Sequence, residues 1–417
     1  MAAQATPKRV LVMSSDNHAG ASAAVYRGFL ESRHHDDYDR WLESQRGKIY
    51  GLDVKPGTTI NATMSRQGDP DRAQFGMNLN ARLAMLETEG VVGEVLFPNP
   101  GSGPRYDDYG VPFAGLLGGS GGTDFGLLAA GQRAHNRWQA ETADLSRQVG
   151  LALISCHDVD AAITEIERSA ASGLRGVLLQ GIHPDLAPLD DPIYDPMWAV
   201  CAALDLPVHF HEVSGALTAS RATGPRTTGR ADFLNPIASY ESAWFGQRPF
   251  WFMLLGGVFA RHPKLRVVFA EMGTEWAINA LRDLDRIWNR FGSPPTPEPP
   301  SAYFERQIMF GFSRVNPHEV RFRREAGIDK LMWGGDHPHI SGPWGCTAAF
   351  LRSMFGPEGV TETEARAILG ENAVRYYGLD AALLGAVADR VGPTPDEVLR
   401  EADAGDRARV ASNMIVI

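Results

Sequence analysis

Cysteine is scarce in this chain. Only Cys156, Cys201 and Cys346 occur among 417 residues, far apart and without a CxxC pair, which gives no basis for a disulfide framework or a Cys-rich zinc cluster and points to a reducing compartment. Long apolar runs are missing as well. None approaches the roughly 20 residues that span a bilayer, and the opening MAAQATPKR has no apolar core of a secretory signal, so a cytoplasmic protein without a membrane partner is expected. A basic excess is also absent. With a net charge of -10, nonspecific attraction to nucleic acid is not expected. The first strand-like run is not followed by GxGxxG, which weighs against a dinucleotide-binding sheet.

What is present is an ordinary globular composition, 44% apolar and 22% charged, in which short β-branched runs recur. They are RVLVMSSD ending at 16, VVGEVLF (91–97), LALISC (151–156), GVLLQ (176–180), PVHFHE (207–212), LRVVFAE (265–271), QIMFGF (307–312) and KLMWGGD (330–336). Helical spacing of apolar residues appears at 160–173 and 275–291. Eight strands alternating with helices predict an α/β fold, a closed (β/α)8 TIM barrel over residues 1–378. The connections at 17–90, with a charged helix in YRGFLESRHHDDYDRWLES, and at 98–123 are expected as long loop insertions. Residues 379–417 read as a C-terminal helical extension.

The polar residues at the C-terminal ends of these strands carry the chemistry. Asp16 and His18 are two apart, so on an extended strand they face one way. His209 and His211 alternate with Val208 and Phe210 in the same manner, Glu271 ends the apolar VVFAE, and Asp336, His337 and His339 follow the eighth strand. In a barrel these ends meet at one mouth, so the set is expected to hold metal through Asp16, His18, His209, Glu271, Asp336 and His337. Asp336, Glu271 and His211 are the candidate acids and bases beside it. The cluster RHHDDYD (33–39) reads as a solvated helix face, although His34, His35, Asp36 and Asp37 would add ligands if it folded over the mouth. Arg221, Arg226 and Arg230 stand among glycines in SRATGPRTTGRADF, a composition suited either to holding phosphates of a bound cofactor or to a solvated loop. WFGQRPFWFMLLGG (244–257) reads as a buried helix or the wall of an apolar cavity.

The segments SSDNHAG, AHNRWQAE, GLRGVLLQ, PVHFHE, FAEMGTEW, LMWGGDHPH and GENAVRYYGLD resemble, in order, the amidohydrolase-related metal-dependent barrels. That group includes aminocarboxymuconate-semialdehyde and resorcylate decarboxylases. The resemblance implies Asp16, His18, His209 and Asp336 as metal ligands. Two departures stand out: Asp16-x-His18 replaces the wider superfamily's His-x-His, and Glu271 stands where the decarboxylases have a sixth-strand histidine. Added carboxylates favour hard metals such as iron or manganese. The SDxHAGA opening with YRGFL is also similar to the branch of the non-heme diiron monooxygenase of platensimycin and platencin biosynthesis. That likeness implies an oxidoreductase of secondary metabolism with two iron ions and an external electron-transfer partner, hydroxylating a bulky apolar, CoA-linked, diterpenoid-like substrate. The second expectation is a hydrolase or nonoxidative decarboxylase with one zinc or manganese, acting on a small molecule. A homo-oligomer is expected in either case.

Overall fold

The computed structural model describes residues 8–45, 78–99, 110–114, 124–179, 186–212, 236–291, 296–313, 316–339 and 341–414. Eight parallel strands pair in sequence order: β1 (Val12–Ala19), β2 (Val91–Pro98), β3 (Gln148–Ile154), β4 (Gly176–Leu179), β5 (Val208–His211), β6 (Val267–Ala270), β7 (Ile308–Phe312) and β8 (Leu331–Trp333). A parallel bridge between Asn17 and His337 brings the end of β8 back to β1. The result is a nearly closed (β/α)8 barrel.

Side-chain alternation builds two apolar layers from each strand. In β6, Val268 and Ala270 join the barrel interior with Leu151, Leu178, Met309 and Met332. Val267 and Phe269 face the helices outside, with Val208, Phe210, Phe310 and Trp333. β5 follows the same rule, so His209 and His211 point inward.

β1 breaks the alternation, and the break matters for function. Ser14 pairs with Glu94 and Asn17 with Leu96, so three steps along β1 oppose two along β2. This bulge changes the phase of the strand. Met13 faces the interior; unbroken alternation would turn Ser15 and Asn17 inward after it, whereas the extra residue turns in Asp16 and His18.

The connections differ in part from the sequence expectation. The charged stretch after β1 is not one helix but two, Ala23–Phe29 and His35–Gln45, broken by the 3-10 turn Ser32–His34. Another helix, Leu79–Thr88, enters β2. The apolar stretch at 244–257 lies within a longer helix, Pro236–Leu255. After residue 379 come three helices, Ala381–Val391, Pro395–Leu399 and Ala404–Asn413. Leu384 and Ala388 of the first pack into the cluster that fills the barrel. No described helix is long and apolar enough to cross a membrane.

Candidate metal centre

Six side chains converge at the C-terminal mouth. Asp16, His18, His211 and Glu271 form one group, and His18, Glu271, Asp336 and His339 a second; in each, the ligand atoms lie within 4.8 Å of one another. Asp16, His18, Glu271 and Asp336 are all buried. Two of the carboxylates sit on backbone that residues with a Cβ seldom adopt, φ being +60° at Glu271 and +51° at Asp336. Such conformations cost about 1–3 kcal/mol each and persist only where the surroundings impose them. At Asp336 they do so through the bonds from Asp336 N to Asp16 O (2.7 Å) and from His339 N to Asp336 O (2.8 Å). Gly334 is required for the same approach. A Cβ there would lie 2.8 Å from Asp16 Cβ and would clash with Ser313 Oγ.

The hydrogen bonds around the rings determine what the centre accepts. His18 Nδ1 lies 2.9 Å from Pro98 O. A carbonyl only accepts, so in the neutral ring Nδ1 carries the hydrogen and Nε2 the lone pair. That lone pair faces Asp16 Oδ1 at 3.6 Å and Asp336 Oδ1 at 3.4 Å. His211 repeats the arrangement: Nδ1 donates to Glu212 O (2.8 Å), and Nε2 faces Glu271 Oε2 at 3.0 Å and Asp16 Oδ1 at 3.5 Å. Asp16 Oδ1 and His18 Nε2 have no hydrogen-bond partner among the described residues. A cation bound between these buried atoms and carboxylate oxygens would satisfy them. Histidines tied back to carbonyls through the second nitrogen are the usual form of imidazole metal ligands.

The titration behaviour follows from this crowding. Burial opposes charge on His211, but Asp16 and Glu271 outweigh it and hold the ring up to about 10. Burial and the neighbouring Asp336 push the Glu271 carboxyl well above its ordinary value. Asp336 is also buried, yet His339 and His18 bring its carboxyl well below the usual range. His339 Nδ1 donates to Asp336 Oδ1 at 2.6 Å, and Ser341 Oγ donates to Oδ2 at 2.8 Å. Ser313 Oγ donates to Asp16 Oδ2 at 2.6 Å. Both serines escape a reading based on strand ends alone, because nothing in the pattern aims them at the mouth.

Other expected site residues lie elsewhere. His209 sits two residues deeper than His211, roughly 7 Å down the strand, and belongs to neither group. Burial holds its ring down to about 4, so it is neutral. Nδ1 donates to Val177 O (3.1 Å), and Nε2 accepts from Tyr377 Oη (2.8 Å). His337 follows Asp336 on the opposite face, its ring centroid 4.7 Å from that of Trp344. In the RHHDDYD cluster, His34 Nε2 accepts from Arg33, Asp37 pairs with Arg40, and His35 Nε2 meets Leu30 O at 3.4 Å. None of these residues joins the ligand groups. Arg221, Arg226 and Arg230 lie outside the described residues. Phe245, Gly246 and Pro249 of the apolar helix line a recess beside His211 with Leu189, Tyr194 and Phe210.

The family model for amidohydrolases (Amidohydro_2) matches residues 89–379. The chain belongs to this amidohydrolase family. A gamma-resorcylate decarboxylase of Rhizobium sp. is 26% identical to it over 250 residues, 57% of this chain and 72% of that protein. Among solved structures, an amidohydrolase from Mycobacterium avium subsp. paratuberculosis has the same fold, with a TM-score of 0.65 at 20% identity, covering 88% of this chain and 99% of that one. So does 5-carboxyvanillate decarboxylase from Novosphingobium aromaticivorans, solved with manganese and 4-hydroxy-3-methoxy-5-nitrobenzoic acid, with a TM-score of 0.62 at 15% identity over 89% and 96% of the two chains. These matches correct the expected activity. The relatives with a named reaction are decarboxylases, so an oxidoreductase, and with it a diiron monooxygenase, is not the reading this amidohydrolase supports.

Proposed function

We propose that this amidohydrolase is a nonoxidative decarboxylase of a small aromatic carboxylic acid, working with one divalent metal ion. The observation that carries the reading is the pair of imidazoles tied to backbone carbonyls through Nδ1, His18 and His211, whose Nε2 atoms both face Asp16, with that of His18 also facing Asp336. These four residues would hold the ion, and their mixed nitrogen and oxygen donors suit manganese or zinc. A divalent ion there supplies Lewis-acid polarisation of a substrate oxygen.

The remaining side chains handle the proton. Glu271 belongs to both ligand groups and lies 3.0 Å from His211 Nε2; burial and Asp336 push its carboxyl up, and in this reading it is the group that carries the proton. When the ring carbon–carboxylate bond breaks, carbon dioxide leaves and its bonding electron pair stays on the ring carbon. The Glu271 proton then forms the new C–H bond, and solvent returns a proton to the carboxylate. No electrons enter or leave. His339 and Ser341 fix the two oxygens of Asp336, and the apolar recess lined by Phe210, Phe245 and Pro249 lies beside His211.

The test is carbon dioxide release from a panel of hydroxybenzoates by the manganese-loaded protein in anaerobic buffer. Turnover without oxygen, lost on chelation and restored by manganese, is expected. A strict need for oxygen and a reductant would overturn the proposal, as would hydrolysis of esters or amides without any decarboxylation.

A further inference from the structure

Behind the first strand, on the face turned away from the mouth, lies a buried polar network that the chemistry above does not use. Glu94 of β2 and Arg82 of the helix Leu79–Thr88 form an ion pair with both side chains fully buried. Arg82 Nε lies 2.9 Å from each Glu94 oxygen. Gln148 Nε2 of β3 donates to Glu94 Oε1 at 2.8 Å, and Asn17 Nδ2 of β1 donates to Oε2 at 2.8 Å. The other end of the Asn17 amide faces the eighth strand, where Oδ1 accepts from His337 N at 2.9 Å. Arg82 Nη2 completes the ring by donating to His337 O at 3.1 Å. His18 N donates to that same carbonyl at 2.6 Å.

Asn17 stands between the two residues of the first strand that face the mouth, and His337 follows the carboxylate that faces them from the eighth. The bulge that turns Asp16 and His18 inward turns Asn17 outward, into reach of Glu94. A single amide therefore fixes the phase of β1 and its spacing from Asp336. An ion pair sealed from solvent is costly to form and seldom retained for stability alone.

We infer that Asn17 and Glu94 are positioning residues for the metal centre: the Arg82–Glu94–Asn17 network sets the distance between the first-strand and eighth-strand ligands. The inference rests on the metal reading of the centre. Because Asn17 acts through a hydrogen bond of defined polarity, reversing both partners preserves the bond. In a Glu94→Gln, Asn17→Asp double variant the amide at 94 donates to the carboxylate at 17, and the network as a whole keeps one negative charge.

The experiment measures Mn2+ affinity by calorimetry and the visible spectrum of the Co2+-loaded protein, on the full chain and at a temperature where each variant is folded. Glu94→Gln is expected to weaken Mn2+ binding by roughly 10–100-fold, the usual effect of losing a residue that orients metal ligands, and to alter the Co2+ bands. The double variant is expected to recover most of the loss. Asn17→Ser carries the same comparison should Glu94→Gln not fold. Asp406→Asn serves as the control; it removes the partner of Arg352, a largely buried pair at the C-terminal helices, and is expected to lower Tm without changing Mn2+ affinity. Wild-type Mn2+ affinity and Co2+ bands in folded Glu94→Gln or Asn17→Ser overturn the inference, as does a double variant no better than Glu94→Gln alone. If the wild-type protein takes up neither Mn2+ nor Zn2+, the metal reading itself falls and takes this inference with it.

Discussion

His18 Nε2 stands 3.4 Å from Asp336 Oδ1 while Nδ1 of the same ring donates to Pro98 O. The backbone thus decides which nitrogen faces the carboxylate, and a lone pair is turned toward negative charge inside the protein. His18→Ala and Asp336→Asn are each expected to lower Mn2+ affinity by about two orders of magnitude or more and to abolish turnover, since each removes a donor from the set. Isothermal titration of the folded variants checks this; an unchanged Kd in either would remove that residue from the ligand set.

His209 provides the contrast. Its two nitrogens are both taken, by Val177 O and Tyr377 Oη. His209→Phe is expected to leave metal stoichiometry at the wild-type value and to reduce stability by about 1–3 kcal/mol, the cost of burying a hydroxyl and a carbonyl without partners. Urea unfolding beside elemental analysis separates the effects. Loss of metal with little change in stability would restore His209 as a ligand.

Gly334 has the most cramped position in the eighth-strand motif. Gly334→Ala is expected to displace Asp16 or Ser313, whose atoms occupy the place of the new methyl group. Overpacking of this kind typically costs about 1–3 kcal/mol. A crystal structure of the variant and its Mn2+ affinity are the measurements. An alanine accepted with both at wild-type values would show that the approach of β8 to β1 is looser than it is here.

Acid sensitivity away from the centre is expected at Glu87. Arg390 and Arg147 hold its carboxyl down from 4.5 to about 2, against a smaller opposing effect of burial. A folded-state value below the unfolded one gives stabilisation that is fully present above pH 4.5 and fades as pH falls toward 2. Glu87→Gln is therefore expected to be less stable than wild type at pH 7, by an amount near the 1 kcal/mol typical of exposed pairs. That gap should close on acidification through this window, and a gap of constant size from pH 7 to pH 2 would refute the assignment.

The architecture was legible in the sequence because burial on both faces leaves apolar, β-branched runs that local pattern reveals. All eight runs became strands within a few residues of their expected positions. The partners of Glu94 in VVGEVLF could not be read from the sequence, because Arg82 and Asn17 meet it only across separate elements.

For the centre, the sequence by itself determined the residue types and the strand ends that carry them: Asp16, His18, Glu271 and Asp336, with histidines at 209, 211, 337 and 339. Only the tertiary structure decided which of those histidines share a point in space. His211 was separated from His209 by depth along one strand, and His339 from His337 by the facing of consecutive residues. The inward turn of Asp16 and His18 depended on a bulge created by pairing with β2. Depth, facing and phase are relations between strands, and residue spacing within one strand does not record them.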